Sequence, residues 1–423
     1  METHSAANKS NLRTDRSFEL SEASVEPTVN TGTSRVAVVH DWLTGMRGGE
    51  IALENILALI PNADLFTLLH NPGSVSATIE AFKPKTTFIN SLPFASTKYR
   101  NYLPLFPMAI EQLDLDAYDV IISTSHCVAK SAIPAGSARH LCYCFTPMRY
   151  AWDQFDSYFG ADQIGRWKSH LYRLAMAKLS RWDAATSSRV HRYIAISEFV
   201  ANRIRRYYGR EPDVIYPPVN TDFYTPGTGR PGDYFVVVSA LVPYKRVDIA
   251  IKACAAAKVP LRIVGDGPEI TSLKAYAGPD VDFLPHQTGE NLRELYRNSR
   301  GFLLPGEEDF GIAPVEALAC GRPVIALSAG GARETVEDGV TGLLVKDDTV
   351  DGFTDAVNDM ASFKYDPVTL HQAATRFSTA AFQKRMSAAL NSFFSQNTEL
   401  PSQLSTKHML STEARHPKLT TPK

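Results

Sequence analysis

Apolar and polar positions fall into two long blocks, each a succession of short β-branched runs and stretches of helical period, set between polar ends. The first block opens with an apolar run at 35–40, then a loop carrying Gly45, Gly48 and Gly49. A stretch at 50–59 follows, with Ile51, Leu53, Ile56 and Leu57 available for burial on a helix. Further strands are predicted at 120–123 and 140–144. The second block repeats the pattern: strand 234–239, helix 247–257, strand 261–264, the turn Gly265-Asp266-Gly267-Pro268, helix 290–298 and strand 301–304. Residues 306–345 then read as a loop, a helix over about 312–320 stopped by Gly321, a strand at 323–327, the turn Gly330-Gly331, and a final helix and strand. Strands alternating with helices predict parallel sheets, and two such blocks predict two doubly wound α/β domains. The expected division is a tail at 1–33, domains at 34–225 and 226–380, a helix at 381–396 and a tail at 397–423. The joint is placed in the Pro- and Gly-dense stretch 217–231, and both polar tails are expected to be disordered.

Composition narrows the class. With 423 residues and 44% hydrophobic content the chain has material for two large cores, and 44 Lys plus Arg against 45 Asp plus Glu leave no overall charge that would favour nucleic acid. The charge is uneven, however. Residues 35–225 carry 20 basic and 17 acidic side chains, residues 226–395 carry 17 and 21, and residues 160–210 alone carry 11 and 3. Within that basic stretch, 164–182 has the period of an amphipathic helix. Ile164, Trp167, Leu171 and Leu174 recur at helical spacing, Arg166, His170 and Arg173 line another face, and Lys168, Lys178 and Arg181 add charge. Such a helix suits an anionic membrane surface; packing on its own domain is the alternative. The five cysteines are scattered and form no CxxC pair, so neither a disulfide framework nor a zinc site is expected. No apolar run reaches the roughly 18 residues of a membrane span, and the polar start lacks a signal-peptide core. A cytoplasmic protein is expected.

In open parallel sheets ligands bind beyond the carboxyl ends of the strands. The loop before the 312–320 helix stands at such a place. Its amides around Gly311 lack partners inside the helix and form an anion site, bracketed by the carboxylates of Glu308 and Glu316. Carboxylates for hydroxyls around a phosphate site suit a nucleotide sugar. The run from Glu308 to Ala326, with Asp309-Phe310-Gly311-Ile312-Ala313-Pro314-Val315-Glu316 at its head, resembles the donor-site motif of retaining glycosyltransferases of family 4, which have the GT-B fold. The resemblance covers about 35–395 and includes Val214-Ile215-Tyr216-Pro217-Pro218-Val219, Tyr244-Lys245, the Gly265 turn, and Gly330-Gly331 through Glu334 and Val345.

The resemblance implies two Rossmann-like domains facing across a cleft, the first for the acceptor and the second for the nucleotide sugar, with the last helix crossing back to the first domain. It implies that Glu308 lies near the transferred sugar, Glu316 holds the ribose, Gly311, Ile312 and Ala313 offer amides, Gly265 lies at the donor, and Lys245 neutralises the departing diphosphate. Where many relatives carry a second basic residue, this chain has Ala240; Arg246 is the candidate substitute. On the acceptor side, Gly48 and Gly49 match a phosphate-approaching loop and His126 a histidine near the reacting sugar. Arg149, Tyr150, Trp152 and Asp153 resemble a segment of mannosyltransferases that build bacterial surface polysaccharides. The implied function is transfer of a hexose, best guessed as mannose from GDP-mannose, to a polyprenyl-diphosphate-linked glycan at the inner face of the plasma membrane. No cofactor and no metal are expected; Asp114-Leu115-Asp116 and Asp280-Val281-Asp282 are read as chance matches to an Asp-x-Asp pattern. A GT-B nucleotide-sugar epimerase and a non-catalytic sugar- or nucleotide-binding relative are the alternatives.

Overall fold

The computed structural model describes residues 29–156, Gly160 and 165–398. Among them, β1 (Val36–His40), β2 (Asp64–Thr67), β3 (Lys85–Thr86), β4 (Val120–Ser125), β5 (Arg139–Cys144), β6 (Arg192–Ala195) and β7 (Asp213–Val214) form one sheet, ordered β3-β2-β1-β4-β5-β6-β7. A second sheet of β8 (Phe235–Val238), β9 (Leu261–Val264), β10 (Val281–Leu284), β11 (Gly301–Leu304), β12 (Val324–Leu327) and β13 (Gly342–Val345) has the order β10-β9-β8-β11-β12-β13. Every pairing is parallel; Val38, for example, lies between Leu65 and Ile122. Both orders reverse beside the first strand, between β1 and β4 and between β8 and β11, which opens a crevice at each switch point. The residues of β1 and β4 are buried throughout, as expected for strands covered on both faces. The architecture is the predicted α/β one, with two Rossmann-like domains.

Five helices matter for the site. They are α1 (Gly48–Leu59), α2 (Arg166–Ala185), α3 (Glu198–Tyr208), α4 (Ile312–Ala319) and α5 (Thr379–Thr398). Helix α1 begins two residues before the expected start, so Gly48 and Gly49 belong to its first turn; the Glu50 carboxylate accepts the Arg47 N–H at 3.1 Å and closes the turn. Ser197 caps α3 by accepting the Val200 N–H at 3.0 Å. Helix α5 buries Phe382, Met386, Leu390 and Phe393 on one stripe. It is tied to the first domain by Gln383 to Asn55 at 3.1 Å, Arg139 to the Phe393 carbonyl at 2.7 Å and Arg192 to the Ala389 carbonyl at 3.2 Å.

Several elements differ from the sequence reading. Strands β2, β3, β6, β7 and β10 escape it, because a four-residue run such as Arg-Tyr-Ile-Ala or Val-Asp-Phe-Leu has too few positions to show a period. They are strands because a neighbouring strand supplies their ladder partners. The tail expected at 1–33 falls within the described residues only from 29 on, and there Asn30 N–H donates to Asn391 Oδ1 on α5 at 2.9 Å instead of being loose. Of the tail expected at 397–423, residues 397 and 398 close α5 and the rest lie outside the described residues, as does Ile164 of the amphipathic stretch.

Candidate active site

The first domain contributes the carboxyl ends of β1 and β4. Asp41, fully buried just after β1, accepts the backbone N–H groups of His126, Cys127, Val128 and Ala129 at 2.6, 2.9, 2.7 and 2.8 Å. Its Oδ2 also lies 3.2 Å from His126 Nδ1. All four of these backbone groups donate, so the carboxylate faces the His126 ring as an acceptor. The neutral His126 ring therefore carries its proton on Nδ1 and keeps Nε2 as an acceptor. The ring stands edge-on to Trp42 at 4.4 Å and is 31% exposed. Burial holds the His126 pKa below the usual imidazole value, outweighing the pull of Asp41. Asp41 and Trp42 were missed in the sequence, although an acidic residue directly after the first strand of a doubly wound sheet was the available signal.

Gly48 marks where the two domains meet. A Cβ there would overlap Ile312 Cδ1 at the start of α4, so a side chain at this position would have to displace the Ile312 tip. Gly49 lies beneath the Phe145 ring and beside His40. His40 is itself buried, with Nδ1 2.7 Å from Thr124 Oγ1 and Nε2 4.0 Å from Glu50 Oε1.

The second domain contributes the 305–311 loop, α4 and the turn after β8. Gly311 sits at φ +90°, a conformation that favours glycine, and turns the chain so that the first amides of Ile312 and Ala313 open α4. Lys245 and Glu308 form an ion pair. They meet because Gly306 lies against the backbone of Tyr244 and Lys245, where a side chain would not fit. Burial and the nearby Arg149 charge pull the Lys245 ammonium down to about 7, with Asp309 opposing. Glu316 accepts the Tyr296 hydroxyl at 2.8 Å, and burial pushes its carboxyl up to about 7 against the hydroxyls of Tyr296 and Tyr224. These two tyrosines, one in the domain joint and one ahead of β11, carry no motif and escape a sequence reading.

Charged groups bridge the cleft. Asp309, next to Glu308, is buried and accepts Arg149 Nε at 2.8 Å on Oδ2 and Arg203 Nη1 at 2.9 Å on Oδ1, while its carbonyl takes the Ser197 hydroxyl. Burial alone would raise the Asp309 carboxyl; the two guanidinium groups hold it below the usual range. The Glu334 carboxylate accepts the Glu198 and Phe199 N–H groups at the start of α3, both at 2.9 Å.

Other expected site residues have structural partners of their own. Arg246 is paired with Asp348 and Asp248 on the surface, with backbone φ +50°. Gly265 is required by the Ser239 carbonyl packed against it, which gives the glycine a structural reason of its own. Tyr150, Trp152 and Asp153 are not offered to an acceptor. The Tyr150 hydroxyl lies 2.7 Å from Cys127 Sγ, Trp152 Nε1 donates to Asp183 at 2.7 Å while its ring stacks on Tyr207 at 4.5 Å, and Asp153 holds Arg203 and Tyr207. Arg149, of the same segment, faces the second domain. Of the two Asp-x-Asp matches, Asp114 caps a turn through the Asp116 N–H, and Asp282 lies 3.8 Å from Arg262. Among the described residues no group of three or more His, Cys, Asp or Glu is placed to hold a metal ion.

The apolar stripe of α2 is bare. Trp167, Leu171 and Leu174 are 89%, 65% and 56% exposed, and the flanking Arg166, Lys168, His170, Arg173, Lys178 and Arg181 are exposed as well. Only Met176 and Leu179, nearer its C-terminus, enter the core. The helix therefore packs on its own domain through its C-terminal half and leaves its N-terminal half in solvent. No helix among the described residues is long and apolar enough to cross a membrane.

Known proteins agree with this layout. Residues 226–377 match the family model for glycosyl transferases group 1, and residues 70–223 the model for glycosyltransferase family 4. The D-inositol 3-phosphate glycosyltransferase of Mycobacterium tuberculosis is 33% identical over 235 residues, 48% of this chain and 48% of that protein. The chain thus spans about half the length of the curated relatives it matches. Among solved structures, Anabaena HepE in complex with UDP-glucose has a TM-score of 0.60 at 18% identity, covering 86% of this chain and 99% of that one. Sucrose-phosphate synthase from Thermosynechococcus elongatus has a TM-score of 0.62 at 18% identity, covering 86% and 100%. These likenesses show a shared fold. Residues 70–223 are thus similar to a glycosyltransferase family 4 domain and residues 226–377 to a glycosyl transferases group 1 domain, and the two Rossmann-like domains have the GT-B fold.

Proposed function

We propose that the protein is a retaining glycosyltransferase that moves a hexose, with GDP-mannose the first donor to try, onto a polyprenyl-diphosphate-linked glycan. The observation that carries the reading is the Lys245–Glu308 pair beside the Gly311 terminus of α4, at the switch point of the second sheet and facing the first domain. A diphosphate placed there takes Lys245 from Glu308, which frees the carboxylate for the sugar, while the α4 amides complete the anion site. No side chain near the pair is set as a dedicated nucleophile. The bond from the anomeric carbon to the diphosphate oxygen breaks as the acceptor oxygen bonds on the same face, and the acceptor proton passes to the departing diphosphate. Lys245 and the helix amides do the neutralising, with no divalent metal. His126 Nε2 accepts from a sugar hydroxyl.

The exposed Trp167, Leu171 and Leu174 amid basic side chains support a reversible hold on an anionic membrane, where a lipid-linked acceptor would lie. On this reading the protein works at the cytoplasmic face of the membrane. The name of the mycobacterial relative suggests a second acceptor class, a phosphorylated polyol. The test is purified protein with a panel of nucleotide sugars, each offered a lipid-diphosphate glycan or an inositol phosphate, with excess chelator and with Mg²⁺. Product carrying the new bond in the retained configuration, formed equally in chelator, supports the reading. Nucleotide-sugar isomerisation without acceptor would instead favour an epimerase, and dependence on added metal would overturn the metal-free step.

A further inference from the structure

A nucleoside diphosphate leaving an anomeric carbon develops negative charge at the bond that breaks, beyond what one ammonium offsets. Lys245 is one cation. The place two residues beyond Val238 holds Ala240, a methyl group, and Arg246 is turned onto Asp248 and Asp348. The cation that does stand at Lys245 belongs to the other domain. The Arg149 guanidinium carbon lies 5.4 Å from the ring centroid of Tyr244, the residue before Lys245. Its Nε donates to Asp309 at 2.8 Å, the residue after Glu308 that pairs with Lys245. Asp309 is buried and shared with Arg203, so the guanidinium is held in place on its Nε–Nη2 edge. Its charge also reaches Lys245, whose proton affinity it lowers.

We propose that Arg149, carried by the first domain, is the second cation at the leaving diphosphate, reaching across the cleft to a site whose other groups come from the second domain. This inference rests on the glycosyltransferase reading above. Asp309 is then a positioning residue: it aims the guanidinium and has no contact of its own with the diphosphate. Both positive charges face the leaving group only in the closed arrangement, so bond breaking is coupled to the meeting of the domains.

The test compares wild type, Arg149→Ala, Arg149→Lys and the double variant Arg149→Ala/Ala240→Arg. Calorimetry uses guanosine, GMP and GDP, with the uridine series beside them, and transfer is timed with the active donor. Arg149→Ala should lose about tenfold in diphosphate affinity and roughly 10²-fold in kcat, as for loss of one charge-stabilising donor, with unchanged affinity for the bare nucleoside. Arg149→Lys should keep part of both, and the double variant should recover diphosphate affinity because a cation returns from the other side. An equal loss for nucleoside and diphosphate would mean that Arg149 only clamps the domains, and the inference falls. Undiminished diphosphate affinity and rate in Arg149→Ala overturns it as well. If wild type transfers no sugar from any donor, the activity reading fails, while the nucleoside and diphosphate affinities still decide the place of Arg149.

Discussion

Glu316 shows how burial turns a helix carboxylate into a sensor of pH. Its carboxyl is raised to about 7, so an empty site near pH 6 holds it mostly neutral. A ribose hydroxyl donates to the carboxylate and favours the ionised form. Nucleotide affinity should therefore rise as pH climbs through 7, by about tenfold between pH 6 and 8 if only the ionised form binds. Calorimetry of GDP or UDP across that range checks it. Glu316→Gln should remove the part of the dependence that is not the titration of the phosphate itself, since the phosphate titrates in both proteins. Lys245 bends the same profile the other way, losing its proton above about 7. A variant whose profile matches wild type would detach Glu316 from the nucleotide. Glu308→Ala, in contrast, should leave nucleotide affinity nearly intact and abolish transfer.

At the level of helices, the first turns of α1 and α4 approach each other at Gly48, where the Ile312 side chain occupies the space that a Cβ would take. The Gly48 backbone lies outside the left-handed region, so Gly48→Ala meets no strain of its own and acts through the overlap with Ile312. The expected result is a wedge. Transfer should fall by about 100-fold, the scale of an ångström's misplacement at a reacting centre, with nucleotide affinity within about twofold of wild type. Gly48→Ala combined with Ile312→Ala should restore the rate, and kinetics on the pair would show it. Helix α2 makes a separate claim. Each Lys or Arg near an anionic bilayer contributes about 1 kcal/mol before screening, and the bare Trp167, Leu171 and Leu174 add apolar contact. Flotation with anionic vesicles should capture wild type at low salt and release it as salt rises. Trp167→Ser with Leu171→Ser, or charge reversal at Arg166, Arg173 and Lys178, should leave the protein at the bottom of the gradient.

Across the entire fold, the two domains are joined by Asp309 with Arg149 and Arg203, by Glu334 with the start of α3, and by α5. Removing one partner of a buried ion pair leaves the other charge without compensation. Asp309→Ala strands Arg203, which keeps Asp153, so the loss should sit at the low end of the range, roughly 3 kcal/mol. Calorimetric unfolding should show it as a lower or split transition, the domains melting apart. The sign with pH follows from the depressed carboxyl. Its folded value lies below the ordinary one, so its stabilisation is complete above about pH 4 and is lost as acid protonates it. A single transition unmoved by the substitution would show that the Asp309 side chain does not hold the halves together.

Much of this protein was legible before any coordinates. The alternation of apolar runs and helical stretches is local, and it marked two parallel-sheet domains and their Pro-rich joint. The proposed donor groups Glu308, Gly311 and Glu316 stand out in the sequence for the same reason, since one loop and one helix carry them within nine residues. Lys245 was found through its turn after β8. What stayed hidden depends on residues far apart in the chain. Asp41 acquires its meaning from amides 85 to 88 residues away, Glu316 from Tyr296 and Tyr224, and Arg149 from Asp309, 160 residues on. The aromatic segment 145–153 looked like a sugar platform because its composition suits one, yet packing turned Tyr150 and Trp152 inward and aimed Arg149 across the cleft. Periodicity and motif specify which strand end a side chain stands on; its partners depend on how the sheets twist and the domains close, and that geometry is written in no short stretch of chain.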